Sequence, residues 1–173
     1  MNEVMKTIVE RRSIRCFSQK SVEREKIDEI VRAGQYAPSG MNRQERIFIV
    51  VSDRKKRDEL SRINASVMLS SSDPFYGAPV VIIVAARKGS FTGLYDASAS
   101  IENMLLAATS LSLGSCWVFR AKEELESEWG KKLLKELGIN DEYVGVGNVA
   151  IGYYDESRKP QPSARKENCV FFI

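Results

Sequence analysis

An α+β or three-layer α/β domain with a four- or five-stranded sheet is the fold class this sequence predicts, and three observations lead there. Segments with apolar residues at helical spacing alternate loosely with short runs rich in β-branched residues. The chain has 173 residues, which suits one domain spanning 1–173 and allows roughly 70% of the unfolded surface to be buried. No internal repeat, low-complexity tract or linker divides it, and no segment reaches the ~18 consecutive apolar residues that a membrane span requires.

In chain order, Asn2 is a plausible N-cap for a first helix carrying Val4, Met5, Ile8 and Val9 and ending near Arg11. Ser21 is expected to cap a second helix, with Glu23 and Glu25 in its first turn. Its buried stripe of Ile27, Ile30, Val31 and Ala37 stops before Pro38. A loop rich in turn residues, Pro38 to Gln44, leaves that helix directly. Arg46 to Val51 reads as a mostly buried strand, Asp53 to about Ile63 as a charged helix, and Ser66 to Gly77 as a polar connection. Pro79 to Ala86 is almost wholly β-branched or small, as in a strand covered on both faces. Leu94 to Leu113 predicts a long helix wrapped by protein nearly all round. Then come a short strand from Ser115 to Phe119, one amphipathic helix from Lys122 to Leu137 closed by Gly138, and a strand from Tyr143 to Tyr153 threaded with Gly145, Gly147 and Gly152. The last twenty residues, with Pro160 and Pro162, form an extended tail that ends in the apolar plug Val170-Phe171-Phe172-Ile173. Such a plug is expected to dock, on its own subunit or another.

Composition narrows the chemistry. A net charge of +3 and a pI near 8.7 favour an acidic ligand mildly and fall short of a nucleic-acid footprint. There is no histidine, which removes the commonest general base, the Ser-His and Cys-His nucleophile pairs and the usual transition-metal ligand. Three scattered cysteines, Cys16, Cys116 and Cys169, predict reduced thiols and no metal site. The stretch Met1 to Lys6 lacks a basic start followed by an apolar run, which gives the expectation of a cytoplasmic protein.

The densest chemical signal is Arg11-Arg12-Ser13-Ile14-Arg15, where three guanidinium forks and a hydroxyl outline an anion site. Basic residues at a helix end also satisfy its last carbonyls, so the stretch alone decides nothing. Ser39, Asn42 and Gln44 supply hydroxyl and carboxamide groups suited to the edge of a pyrimidine-dione ring. Cys116, beside Gly114 and Trp117, is either a small buried hydrophobe or small enough to let a planar ligand approach. No G-x-G-x-x-G opens a helix after a strand, and no phosphate-binding Gly-Lys-Ser/Thr loop occurs.

Five segments in order, Arg11 to Phe17, Ala37 to Gln44, Leu113 to Val118, Ala150 to Tyr153 and Lys159-Pro160 to Arg165-Lys166, together make the chain similar to the nitroreductase family of flavin mononucleotide (FMN) enzymes. The resemblance implies a three-layer α/β/α fold with a mixed, mostly antiparallel sheet, and a homodimer with FMN at its interface. It implies that Arg11, Ser13 and, from the tail, Arg165 hold the phosphate, and that Arg12 and Arg15 reach the ribityl chain and the N1/O2 edge. Pro38, Ser39, Asn42 and Gln44 then approach the flavin from the second subunit. Cys116, Trp117, Val118 and Phe119, on to Arg120, pass its N5 and O4 edge, and the tail extends onto the partner. The activity implied is hydride transfer from NADH or NADPH through the flavin to a nitroaromatic, quinone or similar acceptor by a ping-pong cycle. No side chain needs to be catalytic, because the cofactor carries the chemistry. The rival reading is a flavin-binding carrier or sensor without turnover. The short Ser66–Gly77 region leaves no room for the roofing helices of longer relatives, so a more open pocket is expected.

Overall fold

The computed structural model describes residues Met1–Ile173 and shows a four-stranded antiparallel sheet of order β1-β2-β4-β3 between two helical layers. The strands are β1 (Arg46–Val51), β2 (Val80–Arg87), β3 (Gly114–Val118) and β4 (Tyr143–Gly152). Their alternation decides the layers. On β2, Val80, Ile82, Val84 and Ala86 enter one core with Ile27 and Ile30 of α2 (Arg24–Gln35) and Ala97, Ile101, Met104 and Leu105 of α4 (Gly93–Ser110). Val81, Ile83 and Ala85 enter the other core, with Leu60 of α3 (Arg54–Val67) and Leu125 and Leu133 of α5 (Ala121–Glu126) and α6 (Glu128–Glu136). A strand whose two sides are both buried must be apolar, and β2 is apolar from Val80 to Ala86, ending in the exposed Arg87.

β4 carries a bulge. Val84 pairs with Gly147 and Ala85 with Gly145, which leaves Val146 as the extra residue. The two glycines there are close-approach positions. A Cβ on Gly145 would overlap the Ala121 carbonyl at the start of α5, and one on Gly147 would overlap the Trp117 indole nitrogen. Outside β3, Ile14 N–H donates to the Ser115 carbonyl at 2.9 Å, and Ser13 and Ser115 form one parallel bridge. The mixed character expected of the sheet is confined to that bridge.

Several expectations change in the structure. Ser21 is not a cap: α2 starts after Glu23, whose side chain makes no capping bond. The single helix expected over Lys122–Leu137 is two, broken at Ser127, whose extended backbone and hydroxyl, accepting from Gly130 N–H at 3.1 Å, begin α6 afresh. The long helix α4 is bare at its N-terminal end, where Leu94 and Tyr95 are exposed. The first helix, α1 (Glu3–Glu10), buries no residue at all, although Asn2 caps it as expected, its carboxamide oxygen accepting from Met5 N–H at 2.9 Å. Nor does the tail find a seat on its own chain: Val170, Phe171, Phe172 and Ile173 are all exposed. No helix is long and apolar enough to cross a membrane.

Candidate functional site

The Arg11–Arg15 stretch is positioned by its bridge to β3. Along this extended segment Ile14 enters the core while its neighbour Arg15 stays exposed, and Phe17 further on is buried in the same core. Arg15 has no hydrogen-bond or ion-pair partner of its own, whereas Arg11, half-buried, faces Glu102 of α4 at 3.6 Å. Arg12 turns back on α1, donating from Nη1 to the carbonyls of Val9 at 2.6 Å and Arg11 at 2.7 Å, which caps that helix. Its Nε is buried without a partner, as is the Ser115 hydroxyl.

Cys116 and Val118 turn their side chains into the core with Ala121 and Leu125. Burial pushes the Cys116 thiol up from its ordinary value, opposed by the positive fields of Arg15 and Arg11 and by a hydrogen bond with Ser13. The thiol is thus a neutral core group, and what Cys116 and Val118 offer a ligand is backbone. On the other side of β3, Trp117 lies over Gly147 with its indole N–H buried and unpartnered. Its ring stacks on Phe119 at 6.1 Å between centroids and 12° between planes, and Phe119 itself is 68% exposed.

The Pro38–Gln44 loop stands elsewhere. It leads into β1, at the opposite edge of the sheet from β3. Three interstrand spacings separate the two edges, on the order of 14 Å. Its backbone is strained: Met41, Asn42 and Gln44 have φ of 51°, 53° and 54°. Buried charges hold it there. The Asp96 carboxylate accepts from Gly40 N–H at 3.1 Å and from the Thr92 hydroxyl at 2.9 Å. The Arg46 guanidinium donates to the Gln35 carbonyl at 3.0 Å and the Ala37 carbonyl at 2.6 Å. The Ser39 hydroxyl accepts from Gln44 N–H at 3.1 Å, and the Gln44 carboxamide donates to Asn42 at 3.0 Å. Pro38, Asn42 and Gln44 line a groove of about 590 Å³ with Gln35, Tyr36 and Ala37.

Arg165 joins neither set. Its guanidinium bonds only the Ser163 carbonyl, at 2.9 and 3.2 Å, within the exposed tail. One protomer therefore bridges the Arg11–Arg15 stretch to β3 through Ser13, with Arg12 turned back on α1 and Arg11 on Glu102, keeps Pro38, Ser39, Asn42 and Gln44 together at the far edge, and leaves Arg165 apart.

Sequence reasoning missed the groups that hold these two sets: Asp96 and Arg46 under the loop, and a buried cluster of Asn64, Glu124 and Asn148 behind the end of β3. A carboxylate in the first turn of an apolar helix and an asparagine in an apolar strand were the available signals.

Comparison with known proteins gives concordant matches. The model of the nitroreductase family matches residues 8–153. An Archaeoglobus fulgidus protein named "Putative NADH dehydrogenase/NAD(P)H nitroreductase" is 34% identical over 158 residues, covering 88% of this chain and 86% of its own. A Bacillus subtilis FMN reductase using NAD(P)H is 30% identical over 132 residues, covering 66% of this chain, and the match spans 53% of that relative's length. Among solved structures, a nitroreductase with bound FMN from Bacteroides fragilis superposes with a TM-score of 0.90 at 30% identity, over 100% of both chains.

Proposed function

Because this chain belongs to the nitroreductase family, we propose that it is an FMN-dependent NAD(P)H oxidoreductase, working as a homodimer with a nitroaromatic, quinone or similar small acceptor. The observation that carries the reading is the separation of the two donor sets. The guanidiniums beside β3 and the carboxamides before β1 sit at opposite edges of one sheet, so a ligand that uses both takes them from two copies.

The residues present fit FMN. Its phosphate needs fixed hydrogen-bond donors, and the Arg11 guanidinium and Ser13 hydroxyl would supply them, while Arg15, which has no partner in its own chain, is left for the ring edge. Its ring edge alternates donors and acceptors, which carboxamides such as Asn42 and Gln44 match. Bound FMN would supply the hydride chemistry, which protein side chains do not provide. The chain's own work is to bind and orient. Arg15 and Arg12 place positive charge near the N1/O2 edge, where a dry interface strengthens its effect. Trp117 and Phe119 give an aromatic wall at the end of β3. Donor and acceptor would occupy the open face in turn, in a ping-pong cycle.

Apolar surface with no cover from its own chain supports the homodimer. Val4, Met5, Ile8 and Val9 of α1, Leu94 and Tyr95 of α4, and the Val170–Ile173 plug are all exposed. In the dimer the tail would cross to the second copy and carry Arg165 to the phosphate.

The test is the absorbance spectrum of purified protein, read anaerobically with and without NADH or NADPH, beside sedimentation of the same sample. Yellow dimeric protein that a nicotinamide donor bleaches within seconds is expected. Colourless monomer that rejects added FMN would overturn the reading, and yellow protein that stays oxidised with both donors would reduce it to flavin binding without turnover.

A further inference from the structure

Behind the end of β3 lies a buried polar cluster drawn from three separate elements: Asn64 of α3, Glu124 of α5 and Asn148 of β4, with Glu124 and both asparagines fully shielded from solvent. Asn64 Nδ2 donates to Glu124 Oε1 and, at 2.8 Å, to the Phe119 carbonyl. Asn148 Nδ2 donates to the same two acceptors, at 3.0 and 3.4 Å. Asn64 is fully engaged, since its Oδ1 accepts from Arg120 Nε at 3.3 Å. Two acceptors in the cluster are orphaned: Glu124 Oε2 and Asn148 Oδ1.

Buried unpartnered acceptors are costly, and two in one cluster ask for a donor. A single proton satisfies both. On Oε2 it turns the carboxyl into a donor for the amide whose Nδ2 already serves Oε1, closing the cyclic pair of a carboxylic acid with a carboxamide. We propose that Glu124 carries a proton in the folded protein, shares it with Asn148, and by this neutral pair acts as the positioning residue that fixes the Phe119–Arg120 corner at the end of β3. The corner needs fixing. Arg120 has φ 80° and ψ 13°, a left-handed conformation that a non-glycine residue holds only when its neighbours insist. The Phe119 carbonyl just before it is gripped by both asparagines, and the Phe119 ring leans on Trp117.

The electrostatics agree. Burial, with the Glu123 charge adding to it, pushes the Glu124 carboxyl up to about 7, against the opposing effects of the two amides and Arg120. Glu123 and Arg120 are the charged groups facing it. For its bearing on flavin this assignment rests on the function proposed above, because that corner borders the strand proposed to run along the ring.

The experiment uses full-length wild type with Glu124→Gln and Glu124→Ala. Glutamine reproduces the neutral donor and acceptor; alanine removes both. Expected in wild type are backbone amide resonances of Phe119 and Arg120 that titrate together near pH 7, and an infrared carbonyl band of an un-ionised carboxylic acid that fades over the same range. Glu124→Gln should lose the band and the titration yet keep the corner. Glu124→Ala should raise the amide exchange rate at Arg120 and the FMN dissociation constant by about tenfold or more each, the equivalent of one weak hydrogen-bonded contact. A band that titrates in the ordinary carboxylate range would overturn the proposal. So would an alanine variant with wild-type exchange and affinity, or a glutamine variant as loose as alanine. If no variant binds FMN while the resonances titrate near 7, the flavin reading falls and the Glu124 assignment stands. Flavin binding without that titration removes the Glu124 assignment alone.

Discussion

At the β3 edge, Arg15 and Ser13 stand on a single bridge with donors in hand. At the β1 edge, the Pro38–Gln44 loop is pinned from beneath by Asp96 and Arg46 and holds three residues at positive φ. The first edge keeps side chains free on a relaxed backbone. The second uses buried charge to keep a strained backbone in place, at roughly 1–3 kcal/mol for each residue in a sparsely populated region. The difference teaches that a site can be prepared in two ways, by leaving charge unpaired where an anion will come or by fixing a shape for a neutral edge. In the homodimer proposed above, a second copy lets one ligand meet both.

The comparison breaks hardest if the support of the β3 edge is removed. In Gly145→Ala the new methyl would overlap the backbone of Ala121, which cannot rotate away, so a loss of about 3 kcal/mol or more in urea unfolding is expected. A loss below about 1 kcal/mol would show that α5 moves aside freely. Next in size is pH. Glu124, behind that edge, is pushed by burial from the ordinary carboxylate range up to about 7. Below the unfolded value both states hold the proton and the folded state bears no penalty. As pH rises from there to about 7 the unfolded chain releases its proton first, so stability falls, by about 3 kcal/mol in all, and then levels off. Glu124→Gln should flatten that part of the curve, and an unchanged slope would exclude Glu124 as its source.

Arg15→Ala sharpens the contrast between fold and ligand. The side chain is exposed and unpaired, so the melting temperature should stay put. The dissociation constant for FMN should rise by about 10- to 100-fold, the range of a charged hydrogen bond, and the bound flavin should become harder to reduce. Affinity and potential both unchanged would remove Arg15 from the site. The smallest effect is expected at the other edge, where Asp96→Ala strips the acceptor from Gly40 N–H and the Thr92 hydroxyl. It should lower stability by about 1–2 kcal/mol and speed amide exchange at Gly40, leaving exchange at Ile14 unaltered. A Gly40 amide as protected as before would mean that Arg46 alone suffices.

Much of the layering was legible because local pattern decides it. The unbroken apolar run of β2 demands cover on both faces, and the Val4-Met5-Ile8-Val9 spacing announces a helix even though no part of its own chain buries it. The break at Ser127 was hidden because apolar periodicity continues across it, with Leu125, Trp129 and Leu133 all inward. The cap and Gly130 were the only local signs. Arg11, Ser13 and Arg15 were readable because they are adjacent in sequence. Asn64, Glu124 and Asn148 were not, because a cluster assembled from positions up to 84 residues apart leaves no spacing to find. Asp96 escaped in the same way, its partner Gly40 being 56 residues distant.

The first helix has eight residues and buries none of them. A peptide helix shorter than ~12–15 residues is marginal in water on its own, so this one frays unless something lies across Val4, Met5, Ile8 and Val9. Arg11 caps its C-terminal end and Arg12 follows directly, so their reach inherits its looseness. If the protein is the homodimer proposed above, diluting it until the copies part softens the mount while the sheet stays whole. The grip on an anion then depends on how much protein is in the tube, though no gripping residue has changed.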